Sequence, residues 1–439
     1  MSGGETFQLL MSYLMACVEG FPDRRKGRNI QFSLHDVTRG AFGVFFCQSP
    51  SFLAFQELMQ QQQGKNNART LFGVEQIPSD NHIRALLDPV DPARLNAVYQ
   101  KCFELMQQHG LVHPMRAVGN SLLIAMDATG YFLSESIHCD SCMVSKHRDG
   151  RVTYSHAAVL PAVVSPQHRH VIPLQPEFLR RQDGHERQDC EFQAALRWIK
   201  DHGAQLSPLG VTLLGDDLYS RTPLIREVQQ QELDFIFVAK AVMHKHLQEE
   251  VEGLEKLGGV QQLQQIAWTG RHHRHYHYRW VREVSLTAEK DSPVVSWVEL
   301  QILDEAGKIT FRNSWVTSHP INEQTVVELV RAARSRWKIE NEDFNTLKTK
   351  GYHFEHNFGH GQQYLAAVML SLNLLAFLFH TVLEWSDDKY AWLRRVLARR
   401  QTFFDDIRAL TRYLVFDSWD HLIDFMIRGL ELPPPTDTS

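Results

Sequence analysis

The chain is poor in cysteine, and its first residues lack the pattern typical of a secretory signal. Six cysteines in 439 residues are too few for a disulfide framework. The amino terminus has no basic stretch followed by an apolar one, so we predict that it carries no secretory signal. Both features favour a reducing compartment, and we expect the protein to be cytoplasmic.

The chain also lacks the positive charge typical of proteins that bind nucleic acids. Its net charge is −5 and its pI is about 6.5, which argues against a generally basic surface. Cations nevertheless gather with aromatic residues in four segments, at 21–29, 269–280, 331–338 and 392–400. A solvated face explains any single one of them, so charge alone decides neither for nor against a nucleic-acid partner.

No internal repeat and no long linker interrupts the chain, but its periodicity changes along its length. Apolar residues recur at helical spacing in the first part, short apolar runs follow, then alternating strands, and finally helices again. We therefore predict an α/β protein with a mixed sheet flanked by helices, a β-rich insertion and an α-helical amino-terminal domain. The predicted boundaries are 1–115, 116–233, 234–320 and 321–430.

One apolar run, at 364–385, is long enough to cross a membrane. It contains Ser371, Asn373 and His380, and no neighbouring segment repeats the pattern. We predict a helix buried in the core and no membrane association.

Two aspartates follow apolar strand runs, and a third acid lies in a helical segment. Asp127 ends "LLIAMD" and Asp216 ends "GVTLLGD", while "RSRWKIENEDFNTLK" (334–348) supplies Glu340 and its neighbours. Reactive groups gather at the carboxyl ends of strands in α/β sheets, although Asp is also common where a turn begins. Carboxylates brought together there repel one another, and divalent cations relieve that repulsion.

These three elements, in this order, resemble the DDE motifs of bacterial insertion-sequence transposases, in the family-four-like branch with a β-strand insertion. The resemblance covers about residues 120–380 and includes "RWKIE", which keeps the R-x3-E spacing of Arg336 and Glu340. It implies an RNase H-like catalytic domain in which Asp127, Asp216 and Glu340 hold two Mg²⁺ or Mn²⁺ ions. It also implies cleavage at transposon ends and strand transfer into target DNA.

The chain departs from that family's pattern at two positions. Ala333 stands where a Tyr is expected seven residues before the Glu, and Lys348 lies one place later than the expected Lys. Glu342 is a rival third ligand, because two residues turn a helix by about 200° and only one acid can face the metal ions. Asp217 is a similar rival to Asp216; we favour Glu340 and Asp216.

The resemblance also implies partners and contacts. Double-stranded DNA, as terminal inverted repeats and as target, would be bound by a homodimer acting at the bacterial nucleoid. Arg336 and Lys348 would contact phosphates, and Trp315 would receive a flipped base. The cations expected to read the repeats lie near the amino terminus: Arg24, Arg25, Lys26 and Arg28. An RNase H-like nuclease without strand transfer and an inactive DNA-binding relic are the alternatives.

A separate group of cysteines and histidines has two interpretations, of which one is a zinc site. Cys139 and Cys142 stand in "HCDSC", and Cys190 is the next cysteine along the chain. Zinc needs four ligands, so His138, His147 or His156 would have to complete the set. Unrelated reduced cysteines are the simpler interpretation. "GYHFEHNFGHG" (351–361) also has metal-like histidine spacing, but we interpret it as a polar cap between helices.

Overall fold

The computed structural model describes residues 3–26, 30–60, 62–180 and 189–433 of the chain. Its α-helices are α1 Gly3–Val18, α2 Leu34–Phe46, α3 Phe52–Gln60, α4 Gln62–Phe72, α5 Asp80–Leu87, α6 Asn96–Gln108, α7 Glu191–Leu206, α8 Thr222–Gln230, α9 Lys245–Lys256, α10 Val326–Arg334, α11 Asn345–Thr349, α12 Leu365–Ser386, α13 Asp388–Val396, α14 Arg400–Tyr413 and α15 Trp419–Gly429. Its strands are β1 Leu122–Ala125, β2 Ala128–Ser134, β3 Met143–Lys146, β4 Val152–Val159, β5 Ala162–Val164, β6 Ile172–Pro173, β7 Glu177–Phe178, β8 Val211–Gly215, β9 Asp234–Val238, β10 Gln261–Trp268, β11 His273–Ser285, β12 Val294–Leu303 and β13 Ile309–Thr317.

A nine-stranded mixed sheet organises the protein. Its strand order is β10-β11-β12-β13-β9-β8-β1-β5-β6, and β1, β8 and β9 are parallel neighbours. Because β1 and β8 are buried along their whole length, both are continuous apolar runs in the sequence. The predicted α/β class, an RNase H-like mixed sheet flanked by helices, is confirmed.

The long antiparallel strands extend that sheet from one side. β9 pairs with β8 in the central part, and β13 then pairs with β9 and leads outward through β12 and β11 to β10. The strands lie between Asp216 and the segment of Glu340 along the chain, where the β-rich insertion is predicted. β9 begins at Asp234, where the insertion is predicted to start. Because β9 pairs in parallel with β8, it continues the central part of the sheet, and the antiparallel strands of the insertion follow from β10 onward.

A smaller sheet follows β1 directly. β2 and β3 both pair with β4, and β7 adds a short second contact to β4. Since β2 begins at Ala128, the chain leaves the large sheet at Asp127 and enters the small one at the next residue. Asp127 therefore lies at the junction of the two sheets.

The apolar run at 364–385 forms the central helix of the core. α12 is the one helix in the described part of the chain that is long and apolar enough to span a membrane, and 89% of its most apolar window is buried in the protein. It packs against α1, α2 and α6 of the amino-terminal region and against α13. His380 is bonded at both ring nitrogens: Nε2 donates to the Phe46 carbonyl at 3.1 Å, and Nδ1 bonds the Tyr352 hydroxyl at 2.6 Å. The prediction of a buried core helix is confirmed.

Leu375→Ala should test how much this helix contributes to stability. Leu375 is 0% exposed, so we expect the substitution to lower the free energy of unfolding by about 2–5 kcal/mol, through lost burial and the cavity left behind. Leu257, which is 84% exposed, provides the matched control; Leu257→Ala should change stability by less than about 0.5 kcal/mol. Chemical denaturation of both variants measures the difference, and equal effects would contradict a core role for α12.

Candidate active site

The parallel pairing of β1 with β8 brings the two aspartates to one edge of the large sheet. Ala125 lies opposite Leu214, and the Met126 N–H continues the ladder by donating to the Leu214 carbonyl at 2.9 Å. Asp127 and Asp216 each come two residues after the pair Ala125 and Leu214. Each carboxylate then accepts a bond from a backbone N–H just beyond it, from Ala128 at 3.0 Å and Leu218 at 2.8 Å. These bonds hold both side chains at the strand ends.

Glu340 reaches the same edge from a helical segment that is anchored to the sheet. Residues Ile339–Phe344 form a π-helical turn between α10 and α11, and Ile339 is fully buried. Just before the turn, the buried Lys338 ammonium donates to the carbonyls of Ser165 and His168, each at 2.5 Å. Since Ser165 follows β5, this contact fixes the turn next to the strands that carry the aspartates.

Arg336 connects two of the three acids. Its guanidinium donates to Asp127 Oδ2 at 3.2 Å and to Glu340 Oε1 at 2.7 Å. Burial raises the pKa of Asp127 to about 6; Arg336 opposes that rise, while the negative charges of Glu340 and Asp216 add to it. The three carboxylates therefore lie close enough to repel one another, with one cation between two of them.

The rival acids point elsewhere. Glu342 lies 3.5 Å from the Arg169 guanidinium and lines a neighbouring cleft. Asp343 is 0% exposed, and neither of its carboxyl oxygens has a hydrogen-bond partner among the described residues. Asp217 pairs with Lys240 at 2.8 Å. Of the three acids Glu340, Glu342 and Asp343, Glu340 is the one that contacts the Arg336 guanidinium, which also binds Asp127.

A fourth carboxylate, Glu191, lies beside the predicted acids. It is the first residue of α7, and the Tyr219 hydroxyl donates to it at 3.0 Å. Burial raises the pKa of Glu191; the bond from Tyr219 lowers it, and the charges of Asp127 and Asp216 raise it further. Glu191 is not among the predicted site residues, because an acid in the first turn of a helix is ordinary.

The π turn explains one departure from the transposase motif. A π turn uses i→i+5 bonds and so takes up one residue more than an α-helical turn. Eight residues after Glu340, Lys348 therefore takes the angular place that the seventh residue has on an uninterrupted α-helix. Leu347 is accordingly 0% exposed, whereas the side chain of Lys348 is 32% exposed and pairs with Glu355 at 3.0 Å. Ala333, in place of the expected Tyr, is buried.

Two of the side chains predicted to contact DNA, Trp315 and Arg25, are buried or bonded within the protein. Trp315 is 2% exposed within β13, so its ring offers no open face for a flipped base, and that expectation is at odds with the structure. Arg25 is engaged by Asp23 and by the Phe32 carbonyl, while Arg24 and Lys26 are exposed. Arg28 lies outside the described residues.

A large basic cleft borders the helical segment of Glu340. Its volume is about 1000 Å³, and it is lined by cations from several elements, among them Arg169, Lys350, Arg395 and Arg399. The exposed indole in this cleft is Trp337, which is 46% exposed and follows Arg336 directly. Part of the cluster 392–400 therefore lines a concave surface beside the helical segment of Glu340 and is not only a solvated face.

The fold is an RNase H-like mixed sheet, and candidate acids follow β1 and β8 at one of its edges. A sequence model described as Transposase DDE domain matches residues 153–378, which is more than half of the chain. The chain belongs to this family of DDE transposases. The match includes Asp216 and Glu340, and Asp127 precedes it. No curated protein matches the chain.

The buried Asp343 should make stability depend on pH. Burial raises its pKa to about 7, from an ordinary value near 3.8, so the folded chain holds this proton more tightly than the unfolded chain. Stability is therefore lost as pH rises from about 4 to about 7, at a cost of roughly 3 kcal/mol between pH 5 and pH 8. The Asn side chain of the Asp343→Asn variant cannot ionise. The variant should therefore melt at a higher temperature than the wild type, and the difference should be larger at pH 8 than at pH 5.

Thermal melting at the two pH values measures this gain. Asp201→Asn, at an exposed position of α7, is the control and should melt like the wild type at both. An equal gain for Asp343→Asn at pH 5 and pH 8 would show that its carboxyl is not held protonated.

Proposed function

We propose that the protein is an insertion-sequence transposase that cleaves the ends of its element and joins them to target DNA. Asp127, Asp216 and Glu340 are its proposed catalytic acids and metal ligands. The observation that carries this proposal is the meeting of these acids at one sheet edge, with Arg336 bound to Asp127 and Glu340. The family match supports the transposase class; cleavage and strand transfer by this chain are the proposed part.

The donor set at this edge fits a hard divalent cation. It consists of carboxylate oxygens, which are the ligands that Mg²⁺ and Mn²⁺ prefer. Arg336 supplies positive charge between Asp127 and Glu340, and a bound divalent cation would relieve the repulsion among the acids further. Two such ions, when bound, would activate the attacking oxygen and stabilise the leaving one in phosphoryl transfer.

The cations around the acids suit the backbone of DNA. Arg336 lies within the acid cluster, and Lys348 is exposed on the same helical segment, so both are proposed to contact phosphates. The basic cleft provides further cations, Arg395 and Arg399, and an exposed aromatic face at Trp337. Bases released from the duplex could stack on that face, and for this role we favour Trp337 over the buried Trp315.

The remaining parts of the proposal rest on the family resemblance. The strands β10–β13, inserted between Asp216 and Glu340, support the family-four-like branch. The exposed Arg24 and Lys26 are candidates for contacts with the terminal inverted repeats. A homodimer, acting on the DNA of the bacterial nucleoid, would bring two element ends together.

Substitution of each proposed ligand should abolish cleavage without abolishing DNA binding. Asp127→Asn, Asp216→Asn and Glu340→Gln keep side-chain size but remove a metal-binding charge. Because metal stabilisation of the transition state amounts to several kcal/mol, we expect cleavage to fall by about a thousandfold or more. Cleavage is measured on duplexes that carry the inverted repeats flanking the coding region, with Mg²⁺ or Mn²⁺, and binding is measured by gel shift.

Glu342→Gln is the matched control for the third ligand. It makes the same chemical change two residues away, on a side chain that faces Arg169, so cleavage should stay close to that of the wild type. If Glu340→Gln remained active and Glu342→Gln did not, the assignment of the third acid would be wrong.

A pre-cleaved element end separates a transposase from an RNase H-like nuclease. The wild-type protein should join the free 3′-OH of such an end to a target plasmid, and the Asp216→Asn variant should not. Joined products are detected by gel electrophoresis and by sequencing across the junctions. Cleavage of uncut ends without any joining would favour the nuclease, and the loss of both activities in the wild type would favour an inactive relic.

A further inference from the structure

Four potential metal ligands meet at a point that the proposed catalytic site does not include. Cys139 and Cys142 come from the connection between β2 and β3, His156 from β4, and His360 from the segment between α11 and α12. Their ligand atoms all lie within 4.8 Å of one another. Among the described residues, this is the one group of three or more His, Cys, Asp or Glu side chains found to be this close.

The separations fit a tetrahedron. The two Sγ atoms are 3.9 Å apart, His156 Nε2 lies 3.6 and 3.4 Å from them, and His360 Nε2 lies 3.5 Å from Cys142 Sγ. With Zn–S bonds of about 2.3 Å and Zn–N bonds of about 2.0–2.1 Å, a tetrahedral site has S···S edges near 3.8 Å and S···N edges near 3.6 Å. A zinc ion therefore fits between these atoms with little rearrangement.

We propose that Cys139, Cys142, His156 and His360 bind one structural Zn²⁺ ion. Four protein ligands complete the tetrahedral coordination of zinc and leave no position for a substrate, which is typical of a structural site. Thiolate and imidazole ligands select zinc, whereas the carboxylates of Asp127, Asp216 and Glu340 suit Mg²⁺ or Mn²⁺. The two sites would bind different metals because their donor atoms differ.

The surroundings of the cluster favour a bound ion over a pair of free thiols. Cys142, His156 and His360 are buried, and Cys139 is partly buried. The ring centroids of Phe132 and His360 are 4.2 Å apart, and those of the stacked Tyr131 and His156 are 5.8 Å apart. Nδ1 of His360 is buried without a hydrogen-bond partner in the described part of the chain, so the polar contacts of this ring run through Nε2, into the cluster.

A disulfide accounts for the geometry less well. A disulfide requires the two sulfur atoms to be about 2.05 Å apart, and the observed separation is 3.9 Å. It would also leave the two imidazoles facing a bond that they cannot coordinate.

The position of the cluster indicates what the ion would hold together. β2 starts directly after Asp127, so the small sheet carries the chain away from the first proposed catalytic acid. His360 belongs to the connection that follows the helical segment of Glu340. This connection contains backbone positions with positive φ, at Gly351, His353, Gly359 and Gly361. Zinc would fasten it to the small sheet and so link the chain segments that follow two of the acids.

Metal analysis of the full-length protein, purified without chelators from zinc-supplemented medium, tests the proposal. We expect about one zinc per chain, and X-ray absorption at the zinc edge should show two sulfur and two nitrogen ligands. Cys142→Ser and His360→Gln should each lose most of the metal. Cys190→Ser, at an exposed cysteine outside the cluster, should keep it.

A second measurement covers variants that fail to fold. Zinc-depleted wild-type protein, reloaded with Co²⁺, should develop the absorption of a tetrahedral ion with two thiolate ligands, and depletion should lower the melting temperature by several degrees. Wild-type protein without zinc, zinc retained by Cys142→Ser, oxygen ligands at the zinc edge, or a Cys139–Cys142 disulfide found by mass spectrometry would each overturn the proposal. None of these readouts uses DNA cleavage, so they are independent of the proposed catalytic function.

Discussion

The parallel pairing of β1 with β8 is the constraint on which the proposed site depends. It places Asp127 and Asp216 next to each other because the two strands are in register up to Ala125 and Leu214. This arrangement is electrostatically costly, since both acids and Glu340 repel one another at a partly buried edge. The buried strands and α12 provide the packing that maintains it, and the apolar core is accordingly continuous from the amino-terminal helices to the sheet.

Glu340 lies outside the strands, on a helical segment that is anchored to the chain just beyond β5. Lys338 is held by two carbonyls beyond β5, and the π turn begins at the next residue. Arg336 bonds Glu340 at the ordinary i,i+4 spacing, and the π turn delays Lys348 by one position along the sequence. This backbone irregularity thus accounts for the departure of Lys348 from the motif, and π turns of this kind are frequent at functional sites.

The parts of this site that could be predicted are those with short-range signals. An apolar run that ends in Asp shows both the buried strand and the acid at its carboxyl end, so Asp127 and Asp216 were identifiable. Glu191 and the π turn have no such signal: the first is an ordinary helix-starting acid, and the second depends on tertiary contacts of Lys338. Trp315 was chosen by position along the chain, and its burial in β13 could not be read from that position.

The cysteine and histidine cluster also could not be predicted in full from short-range signals, because one of its members is far from the others in the sequence. Cys139, Cys142 and His156 lie close in sequence, but the sequence offers His138 and His147 equally as partners of the two cysteines. His360 follows only after the whole β insertion and the Glu340 segment. The contact between Cys142 and His360 exists because α12 and the small sheet pack on the same core. A metal site of this kind closes only when the fold is complete, so zinc binding would stabilise the assembled catalytic domain relative to partly folded chains. The cysteine and histidine cluster would then stabilise the fold, and the carboxylates at the sheet edge would carry out the chemistry.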